Sequence, residues 1–494
     1  MKQTICFTIL FLLFCTLNSK GQVFPKETNH WYFGIRAAMT FLPRSTTGDP
    51  IPNASAASTF SAGEGSTAMS DTNGNLLFYA GSSVAEMNTS SIWNRNHTIM
   101  PNGTGLIGGS SSSQNAMVVR LPGSFTRYYV FTVAQLENYG TARPKTFNYS
   151  VVDMTLQGGL GDVMPNQKNI PLMDSTTERI TAVQHSNTFD TWIITHKFNS
   201  DAFVAVLLTD TGLSSPVYSH IGLVHGPRVD KSRGCIKVSP DGTKVAVAIT
   251  EAFGNGTTAK YHTQVGKFNT TTGQVTDIIS ITKEYTRVFG PYGVEWSNSS
   301  EKLYISYRDI YKIHQHSFEF AYDSASVAAS KYEIDCRPFE PAALQMGMDG
   351  KIYISKVGRD PTLARIANPN APGDSIEFQP NAIRLALGTS CDRGLTNVNQ
   401  SIFNPITFPV AARPKAFRPS LRVWPNPAST FLQIAGFDYR VKSPAIQILN
   451  ADGRVLQVPQ TNTQASILRI SISHLPAGLY TLKQGAISLH FSKQ

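Results

Sequence analysis

Five arginines recur along the chain, each shortly before a predicted strand of a repeating unit. A guanidinium group presents a planar fork of N–H donors that matches a carboxylate or a sulfate. Converging side chains would form an electropositive site for an acidic ligand, such as a uronate-containing glycan. Pairing with neighbouring carboxylates, at positions 178, 230, 340 and 392, is the structural alternative. The candidate ligand-binding residues are Arg179, Arg233, Arg287, Arg337 and Arg393.

The other motifs that could do chemistry are weak. The sequence contains no Gly-x-Ser-x-Gly elbow, His-Glu-x-x-His pair, Walker loop or EF-hand loop. Residues 103–108 match Gly-x-Gly-x-x-Gly by letters, but they lie in an Asn/Gly/Ser-rich loop without the flanking strand and helix of a dinucleotide site. His314 and His316 could form half of a metal site, yet no third ligand is identifiable, and we expect surface histidines. We therefore predict no catalytic residue, no metal and no cofactor.

Three cysteines lie beyond the first 21 residues. Cys336 and Cys391 occupy nearly matching positions before strands of adjacent repeats, and an oxidising compartment would permit a bond between them. We predict a Cys336–Cys391 disulfide. Cys235 opens an apolar strand, which favours a buried thiol.

A repeating hairpin supplies the elements that must position these residues. An apolar strand, a turn rich in Ser, Asp, Asn and Gly, and a second apolar strand recur about every fifty to sixty residues. A third, more polar strand follows each hairpin. Six copies are recognisable, at residues 68–79, 118–132, 183–194, 236–247, 294–305 and 344–354. Three or four antiparallel strands repeated at this period are typical of a β-propeller.

A seventh repeat can be assembled from both ends of the body, from residues 30–41 and 395–402. Joining the two ends in one sheet would hide the strand edges that an open array exposes. We predict an all-β protein with a seven-bladed β-propeller over residues 22–402, followed by a small Ig-like β-sandwich. A β-solenoid is the alternative, but its repeats are shorter and do not need this hairpin.

Residues 1–21 have the pattern of a secretory signal peptide. Lys2 opens a positive region, a mostly apolar run covers residues 5–17, and small residues precede a cleavage site between Gly21 and Gln22. The apolar run is shorter than the ~20 residues that a membrane span needs. A buried N-terminal helix is the alternative. The pattern predicts export from the cytoplasm and no transmembrane segment.

The net charge of +10 is concentrated in the C-terminal region. Residues 22–410 contain 31 basic and 31 acidic residues, whereas residues 411–494 contain ten basic and two acidic residues. A nucleic-acid-binding domain needs a basic surface on its folded body. The neutral body therefore argues against a nucleic-acid partner.

Residues 403–420 contain four prolines among basic residues, which predicts an extended linker. Short alternating strands and Asp-Gly or Ala-Gly turns follow in residues 421–494. This region resembles the type A C-terminal sorting domain of type IX secretion, which occurs in secreted proteins of the Bacteroidota. An Ig-like binding module is the alternative. The motif residues are Pro425, Asn426, Pro427, Gly478, Tyr480 and Lys483.

The resemblance implies the type IX secretion machinery as a partner and a route through the periplasm to the outer-membrane surface or the exterior. The body also resembles secreted propellers that accompany such tails, through residues 75–79 and 100–103, and that resemblance implies no agreed activity.

Two functions remain open: a non-catalytic binding propeller for an acidic glycan or a surface protein, and a propeller-type hydrolase or polysaccharide lyase. An enzyme would need convergent His, Tyr, Glu or metal ligands, and the sequence shows none in recognisable order. The sequence therefore favours a binding protein, which we expect to be a monomer.

Overall fold

A computed structural model gives the coordinates of the chain, and it divides into two compact units, residues 1–405 and 406–494. Strands dominate both units, and the one α-helix within the described residues is α1 (Ser324–Ala329). Short 3₁₀ turns cover Lys26–Thr28, Gln157–Gly159, Val229–Ser232, Gly373–Ile376 and Gln400–Phe403. The structure describes residues 26–54, 60–83, 88–136, 146–250, 259–285, 290–404, 422–435, 447–456, 460–463, 467–484 and 487–494. The predicted signal peptide, its cleavage site and most of the predicted linker lie outside these residues.

The first unit consists, in its described part, of seven sheets of four or five strands, numbered here in chain order. Sheet 1 contains β1 (His30–Ile35), β2 (Ala37–Thr40), β3 (Ile51–Ala54) and β4 (Ser61–Ala62). Sheet 2 contains β5 (Ser66–Ser70), β6 (Leu76–Gly81), β7 (Thr89–Asn94) and β8 (Leu106–Ile107). Sheet 3 contains β9 (Ala116–Arg120), β10 (Arg127–Val133), β11 (Phe147–Asp153), β12 (Asp162–Val163) and β13 (Ile170–Met173).

The next four sheets continue the same pattern of antiparallel neighbours. Sheet 4 contains β14 (Thr181–Gln184), β15 (Thr191–His196), β16 (Ala202–Thr209), β17 (Gly212–Leu213) and β18 (Val217–His220). Sheet 5 contains β19 (Ile236–Val238), β20 (Lys244–Ile249), β21 (Ala259–Phe268) and β22 (Val275–Tyr285). Sheet 6 contains β23 (Pro291–Trp296), β24 (Lys302–Tyr307), β25 (Lys312–Ser317) and β26 (Tyr332–Asp335). Sheet 7 contains β27 (Pro341–Met346), β28 (Ile352–Lys356), β29 (Thr362–Ile366) and β30 (Phe378–Arg384). The last strand of the unit, β31 (Thr396–Asn397), pairs in parallel with β5 and so joins sheet 2.

The turn between β19 and β20 shows why the repeated phrase folds as a hairpin. Ser239 N donates to Lys244 O at 2.8 Å, and Gly242 takes a positive φ of 77° that a residue with a β-carbon rarely adopts. The Asp241 carboxylate accepts from Thr243 N at 3.0 Å, which closes an Asx-type turn. The hairpins predicted from this phrase are therefore confirmed at the level of local structure.

Successive sheets are joined by hydrogen bonds between residues that precede or begin their first strands. Since these backbone groups lie outside the sheet ladders, the bonds satisfy buried donors and fix the spacing of the sheets. They run from Gly65 N to Ser112 O (3.0 Å), Gln114 N to Glu178 O (3.0 Å), Glu178 N to Ser232 O (3.2 Å) and Cys235 N to Tyr292 O (2.8 Å). Between sheets 6 and 7 the donor is a side chain, Ser306 Oγ, which reaches Ala342 O at 2.7 Å.

Residues 390–397, called here the closing segment, return this series of bonds to its start. Ala343 N of sheet 7 donates to Arg393 O at 3.0 Å, and Arg393 N donates to Gly63 O, before sheet 2, at 3.0 Å. The closing segment thus lies between the last and the second sheet. The seven sheets are linked in a closed circuit, and the all-β first unit is β-propeller-like.

The closing segment also pairs with the first strand of the unit. Ile35 N donates to Ser390 O at 2.8 Å, and Ser390 N donates back to Ile35 O at 3.2 Å. Further along, Tyr32 N donates to Thr396 Oγ1 at 2.9 Å. Residues from both ends of the unit are therefore in contact, but β31 (Thr396–Asn397) pairs with β5 of sheet 2 and not with sheet 1, so the repeat predicted from residues 30–41 and 395–402 does not form one sheet.

Aromatic packing places sheet 1 between its two neighbours. On one side the Trp31 ring meets Tyr353 of sheet 7 edge to face, with centroids 5.8 Å apart. On the other side Tyr32 stacks on Tyr79 of sheet 2 at 3.9 Å. All four rings are buried, so these contacts contribute both apolar burial and favourable ring geometry.

The predicted Cys336–Cys391 disulfide is wrong. Both residues are free, buried thiols that belong to different apolar clusters. Cys391 Sγ donates to Thr362 O at 3.3 Å, and burial raises the pKa of Cys391 to about 12. Cys235 is also buried, as predicted, and burial raises the pKa of its thiol to about 12.

The second unit contains two four-stranded antiparallel sheets in its described part. Side chains of both sheets, including Leu432 and Ile470 of one and Ile448 and Leu482 of the other, form one buried cluster. One sheet has β32 (Arg422–Trp424), β33 (Phe431–Ala435), β36 (Gln460–Thr463) and β37 (Ile467–Ser471). The other has β34 (Gln447–Leu449), β35 (Val455–Leu456), β38 (Gly478–Gln484) and β39 (Ile487–Lys493).

Gly34 provides a test of the closure. Its φ is 54°, and a β-carbon there would lie 2.1 Å from Ser390 O of the closing segment. We expect Gly34→Ala to lower the free energy of unfolding by about 3 kcal/mol, from backbone strain plus overpacking. Gly105→Ala is the matched control, because Gly105 also has a positive φ of 64° but no atom within 4 Å of its β-carbon position. We expect that change to cost about 1 kcal/mol. Equal losses in urea unfolding would contradict a tight closure at Gly34.

Candidate functional site

Arg179 precedes β14, and its guanidinium group points into the protein. The side chain is fully buried and donates to Lys231 O at 2.7 Å and to Arg233 O. Its Nη1 also lies 3.2 Å from His225 Nδ1. Burial lowers the pKa of Arg179 to about 9, while the nearby Glu178 carboxylate opposes that shift. Arg179 therefore holds the loop before β19 and does not line a site for an external ligand.

The other predicted arginines do not form one open site with it. Arg337 is exposed and forms an ion pair with Asp335, with Nε 3.0 Å from Oδ1. Arg393 Nη1 lies 3.7 Å from Asp392 Oδ1. The prediction of five convergent arginines is thus wrong for Arg179 and Arg337: a neighbouring backbone or carboxylate already occupies their donors. Arg233 is half-buried, and Arg287 lies outside the described residues.

The first strands of sheets 5, 6 and 7 meet in a buried polar group, called here the axial network. Lys237 Nζ lies 3.4 Å from Glu295 Oε2 and donates to Gln345 Oε1, and each of the three residues is at most 2% exposed. The Gln400 amide lies 3.0 Å from Lys237 Nζ and 3.3 Å from Glu295 Oε1. Burial raises the pKa of Glu295, and the Lys237 ammonium group opposes that effect.

Further bonds cross between sheets that are not neighbours. Tyr292 OH of sheet 6 donates to Glu64 Oε2, before sheet 2, at 2.6 Å. Ile236 N of sheet 5 donates to Gln114 Oε1, before sheet 3, at 2.8 Å. The cavity that remains beside the axial network has a volume of about 10 Å³. This space, which is lined by described residues only, holds no more than a single water molecule.

A larger cleft opens at the ends of the first strands of sheets 3 and 4, on the side opposite Arg179. It has a volume of about 300 Å³, at the lower end of the range for small-molecule sites. We call it the mouth cleft. Its floor is mainly apolar, and its polar and aromatic lining residues include Glu27, Arg120, Gln184, Phe189, Asn397 and Ser401.

Phe189 is held in place by the turn that carries it. Asn187 Oδ1 accepts from Phe189 N and from Asp190 N, both at 3.0 Å. The ring tip faces Gly123 of the adjacent sheet, where a β-carbon would lie 3.6 Å from Phe189 Cζ. Phe189 remains 40% exposed.

Three polar groups of the mouth cleft have hydrogen-bonding capacity that the described residues do not use. The side chains of Glu27 and Arg120 form no hydrogen bond or ion pair within the described part of the chain, although the Arg120 guanidinium lies 5.7 Å from the Phe125 ring centroid. Asn397 is 3% exposed and donates to Ile180 O at 3.0 Å, yet its Oδ1 accepts no bond from described residues. This oxygen has no accessible surface, so a ligand in the cleft cannot reach it.

A second cavity, of about 520 Å³, is lined by Arg44, Asn298 and Asp349 among others. Burial raises the pKa of Asp349, while hydrogen bonding from Tyr353 OH, at 2.8 Å, opposes that shift. Its other oxygen accepts from Lys351 N at 3.4 Å within the β27–β28 turn. The Asp349 carboxylate therefore stabilises its own turn.

Four histidines are buried rather than exposed. His196 and His225 stack with centroids 3.5 Å apart, and both are completely buried. The expectation that His314 and His316 are surface residues is wrong, because they are 1% and 2% exposed. Helix α1 covers His316, and the Nδ1 atom of His316 lies 3.0 Å from Val327 O. Burial lowers the pKa of His196 and of His314 to about 3. No cluster of three or more metal-ligating residues occurs within the described ranges.

Comparison with known families assigns the C-terminal region. Residues 422–493 match the family of secretion system C-terminal sorting domains. The protein is thus secreted by the type IX route, to the cell surface or outside the cell. In the part of the chain that the structure describes, no helix has the length and apolar character to cross a membrane. Comparison with curated proteins finds no match.

Several solved structures resemble the first unit. The periplasmic gluconolactonase PpgL of Pseudomonas aeruginosa is 11% identical over 78% of this chain and 95% of its own, with a TM-score of 0.39. A functionally unknown protein of Desulfotomaculum acetoxidans is 13% identical over 75% and 98%, with a TM-score of 0.41. The β-propeller domain of Cps50 (Swd1) from Myceliophteria thermophila is 12% identical over 77% and 95%, with a TM-score of 0.37. Likenesses at this level carry no conclusion about ligand or activity.

The axial network can be tested by removing one charge. We expect Lys237→Met to lower the free energy of unfolding by about 4 kcal/mol, because it leaves the Glu295 carboxylate buried without its cation. The double variant Lys237→Met/Glu295→Gln should recover most of that loss. Urea unfolding of both variants checks the expectation. If Lys237→Met alone is as stable as the wild type, the Lys237–Glu295 pair is not desolvated.

The buried histidines predict acid sensitivity. Between pH 6.5 and about 3 the unfolded chain binds a proton at His196 that the folded protein does not, so the free energy of unfolding falls as the pH falls. At pH 5 this amounts to about 2 kcal/mol for His196 relative to neutral pH. We expect His196→Phe to flatten the dependence of stability on pH between 7 and 5. An unchanged slope would contradict a neutral, buried His196.

Proposed function

We propose that the first unit is a seven-bladed β-propeller that acts outside the cell as a non-catalytic binding protein. Seven described sheets linked in a closed circuit support the blade count. The sorting domain at residues 422–493 supports an extracellular or surface-attached site of action, and it suits an origin in the Bacteroidota. The second unit, with its two packed sheets, suits an Ig-like sandwich that serves export.

The mouth cleft is the observation that carries the binding role. The axial network occupies the space between the described first strands of sheets 5, 6 and 7, which favours a ligand site on a face of the propeller. The mouth cleft combines the partly exposed ring of Phe189 with the side chains of Glu27 and Arg120, which form no hydrogen bond or ion pair with other described residues. A glycan or a surface protein is the expected class of partner, and the monomer is the expected state. We also propose that Arg233 and Arg393, on the side opposite the mouth cleft, bind an acidic ligand.

The alternative is a propeller-type hydrolase or lyase, and Asp349 is the residue that favours it. Its raised pKa and its position in the 520 Å³ cavity suit a general acid. Against this, the side chain is 1% exposed and both carboxylate oxygens bind within the β27–β28 hairpin. The binding function therefore agrees better with the geometry.

Binding and turnover can be separated in one experiment. The purified full chain is applied to immobilised neutral and uronate-containing polysaccharides and to isolated cell envelopes, and the soluble phase is assayed for new reducing ends and unsaturated sugars. We expect retention without product. Product formation that Asp349→Asn abolishes would establish the enzyme instead. Neither retention nor product on any of these surfaces would overturn the binding role.

Export can be tested by deletion. Removal of residues 422–493 should leave the first unit folded but retained in the periplasm, because the matched sorting domain directs the outer-membrane step. Fractionation and immunoblotting of cells that express the full and the shortened chain check the location. Equal amounts of both chains outside the cell would contradict the role of the tail.

A further inference from the structure

We infer that a group of arginines around the closing segment binds an acidic polysaccharide chain through its carboxylate groups. The group is called here the arginine patch and consists of Arg36, Arg359, Arg384 and Arg393. This inference rests on the proposed binding function and assigns a ligand class to a surface outside the mouth cleft. It extends the proposal for Arg393 to three arginines that the sequence analysis did not single out.

The arginine patch is carried by three chain segments, residues 34–36, 357–361 and 384–393, which backbone hydrogen bonds join to one another. The bonds run from Ile35 N to Ser390 O (2.8 Å), from Ser390 N to Ile35 O (3.2 Å), from Cys391 N to Asp360 O (2.9 Å) and from Leu385 N to Pro361 O (2.8 Å). Since these segments are fixed to the closing segment, the four arginines lie on one region of the surface.

Three of the four guanidinium groups have no partner among the described residues. Arg36, Arg359 and Arg384 are exposed, and their side chains form no hydrogen bond or ion pair with another described residue. Arg393 is half-buried, with Nη1 3.7 Å from Asp392 Oδ1. The patch therefore presents guanidinium donors to the solvent.

The second acidic residue of these segments is already bound elsewhere. Asp360 Oδ1 accepts from Thr362 N at 2.8 Å and lies 3.7 Å from Lys356 Nζ. The Lys356 ammonium group is buried and balances this carboxylate. The three segments contain four arginines and two aspartates, so they carry an excess of positive charge on a body that is neutral overall.

Two of the arginines occupy backbone positions that suit other residue types better. Arg36 and Arg359 have positive φ values of 54° and 63°, a conformation that Gly, Asn and Asp adopt most readily. They are the two arginines among the described residues with positive φ. The geometry of the turns therefore does not account for these side chains, and strained positions of this kind are typical of functional surfaces.

The chemistry of the patch suits a polymer with repeated carboxylates. A guanidinium group binds a carboxylate through two parallel hydrogen bonds, which a lysine ammonium group does not form. A chain with a carboxylate on each sugar unit can bind several of these arginines at once, and linked contacts strengthen one another. The protein is secreted to the cell surface or the exterior, where such a polysaccharide is accessible to it.

An acidic protein offers the same carboxylates, but the surface suits it less well. Protein interfaces have an apolar centre that is rich in aromatic residues. Leu387 is the one large hydrophobic residue that is exposed in the three segments, and these segments contain no aromatic residue. The arginine patch thus offers charge and hydrogen bonds without the apolar contact that a protein partner needs.

The test measures binding of the purified full chain to polygalacturonate, to dextran of similar length and to poly-glutamate by calorimetry. We expect polygalacturonate to bind more tightly than both other polymers, and its dissociation constant to rise by about fivefold or more from low to high salt. The variant Arg36→Asn/Arg359→Asn/Arg384→Gln should bind polygalacturonate about tenfold more weakly, because three exposed ion pairs are lost. Asn suits the two positions with positive φ, so the variant should melt at no lower temperature than the wild type.

The matched control removes the same charge from outside the patch. It is the variant Lys26→Gln/Arg95→Gln/Arg127→Gln, whose three residues belong to other segments of the first unit. We expect it to keep the dissociation constant for polygalacturonate within about twofold of the wild type, since screening limits the effect of distant charges.

Each other result would overturn the inference in a distinct way. Equal weakening by the patch variant and the control would show a response to net charge alone. Binding to polygalacturonate that the patch variant leaves intact would place the acidic ligand elsewhere and leave the proposed binding function standing. Tighter binding to poly-glutamate would assign an acidic polypeptide. Retention on cell envelopes without binding to polygalacturonate would overturn this ligand class alone, whereas failure to bind any of these surfaces would overturn the binding function as well.

Discussion

The bond from Arg393 N to Gly63 O is the constraint on which the remaining architecture depends. Sheets 2 to 5 are each hydrogen-bonded to the next through residues at or before their first strands, Ser306 joins sheet 6 to sheet 7, and this bond returns the series to its beginning. The closed circuit also sets the distance between first strands, and so it determines how much space remains at the centre.

That space is filled by polar groups rather than by apolar ones, and this has an energetic consequence. Lys237 and Glu295 are removed from water, which is costly unless each retains its partner and its hydrogen bonds. Met346 N, Trp296 N and the neighbouring amides supply those bonds. The axial network thus makes any packing of the first strands that separates Lys237 from Glu295 energetically unfavourable.

The sequence made the architecture more predictable than the site. The turn at Asp241 and Gly242 recurs in recognisable form, so the repeated hairpins could be anticipated. The sequence did not show that Thr396 and Asn397 pair with β5 of sheet 2 rather than with sheet 1. The direction of a side chain could not be predicted from the sequence. Position alone shows that Arg179 precedes a strand, but not that its guanidinium turns under a loop from the adjacent sheet. The mouth cleft was missed because its lining residues come from five separate segments and form no contiguous motif. Phe189, an aromatic residue within a polar turn, was the one available signal in the sequence.

The closing segment also determines when the fold can be finished. Tyr32 and Thr396 are 364 positions apart, and the hydrogen bond between them joins the first strand to the last part of the unit to be synthesised. Contacts of such long sequence separation carry a large entropic cost of loop formation and slow the folding of a domain. A chain that is still being translated can form individual hairpins, but it cannot complete the circuit. Completion of the circuit must therefore wait until residues 390–397 have been synthesised.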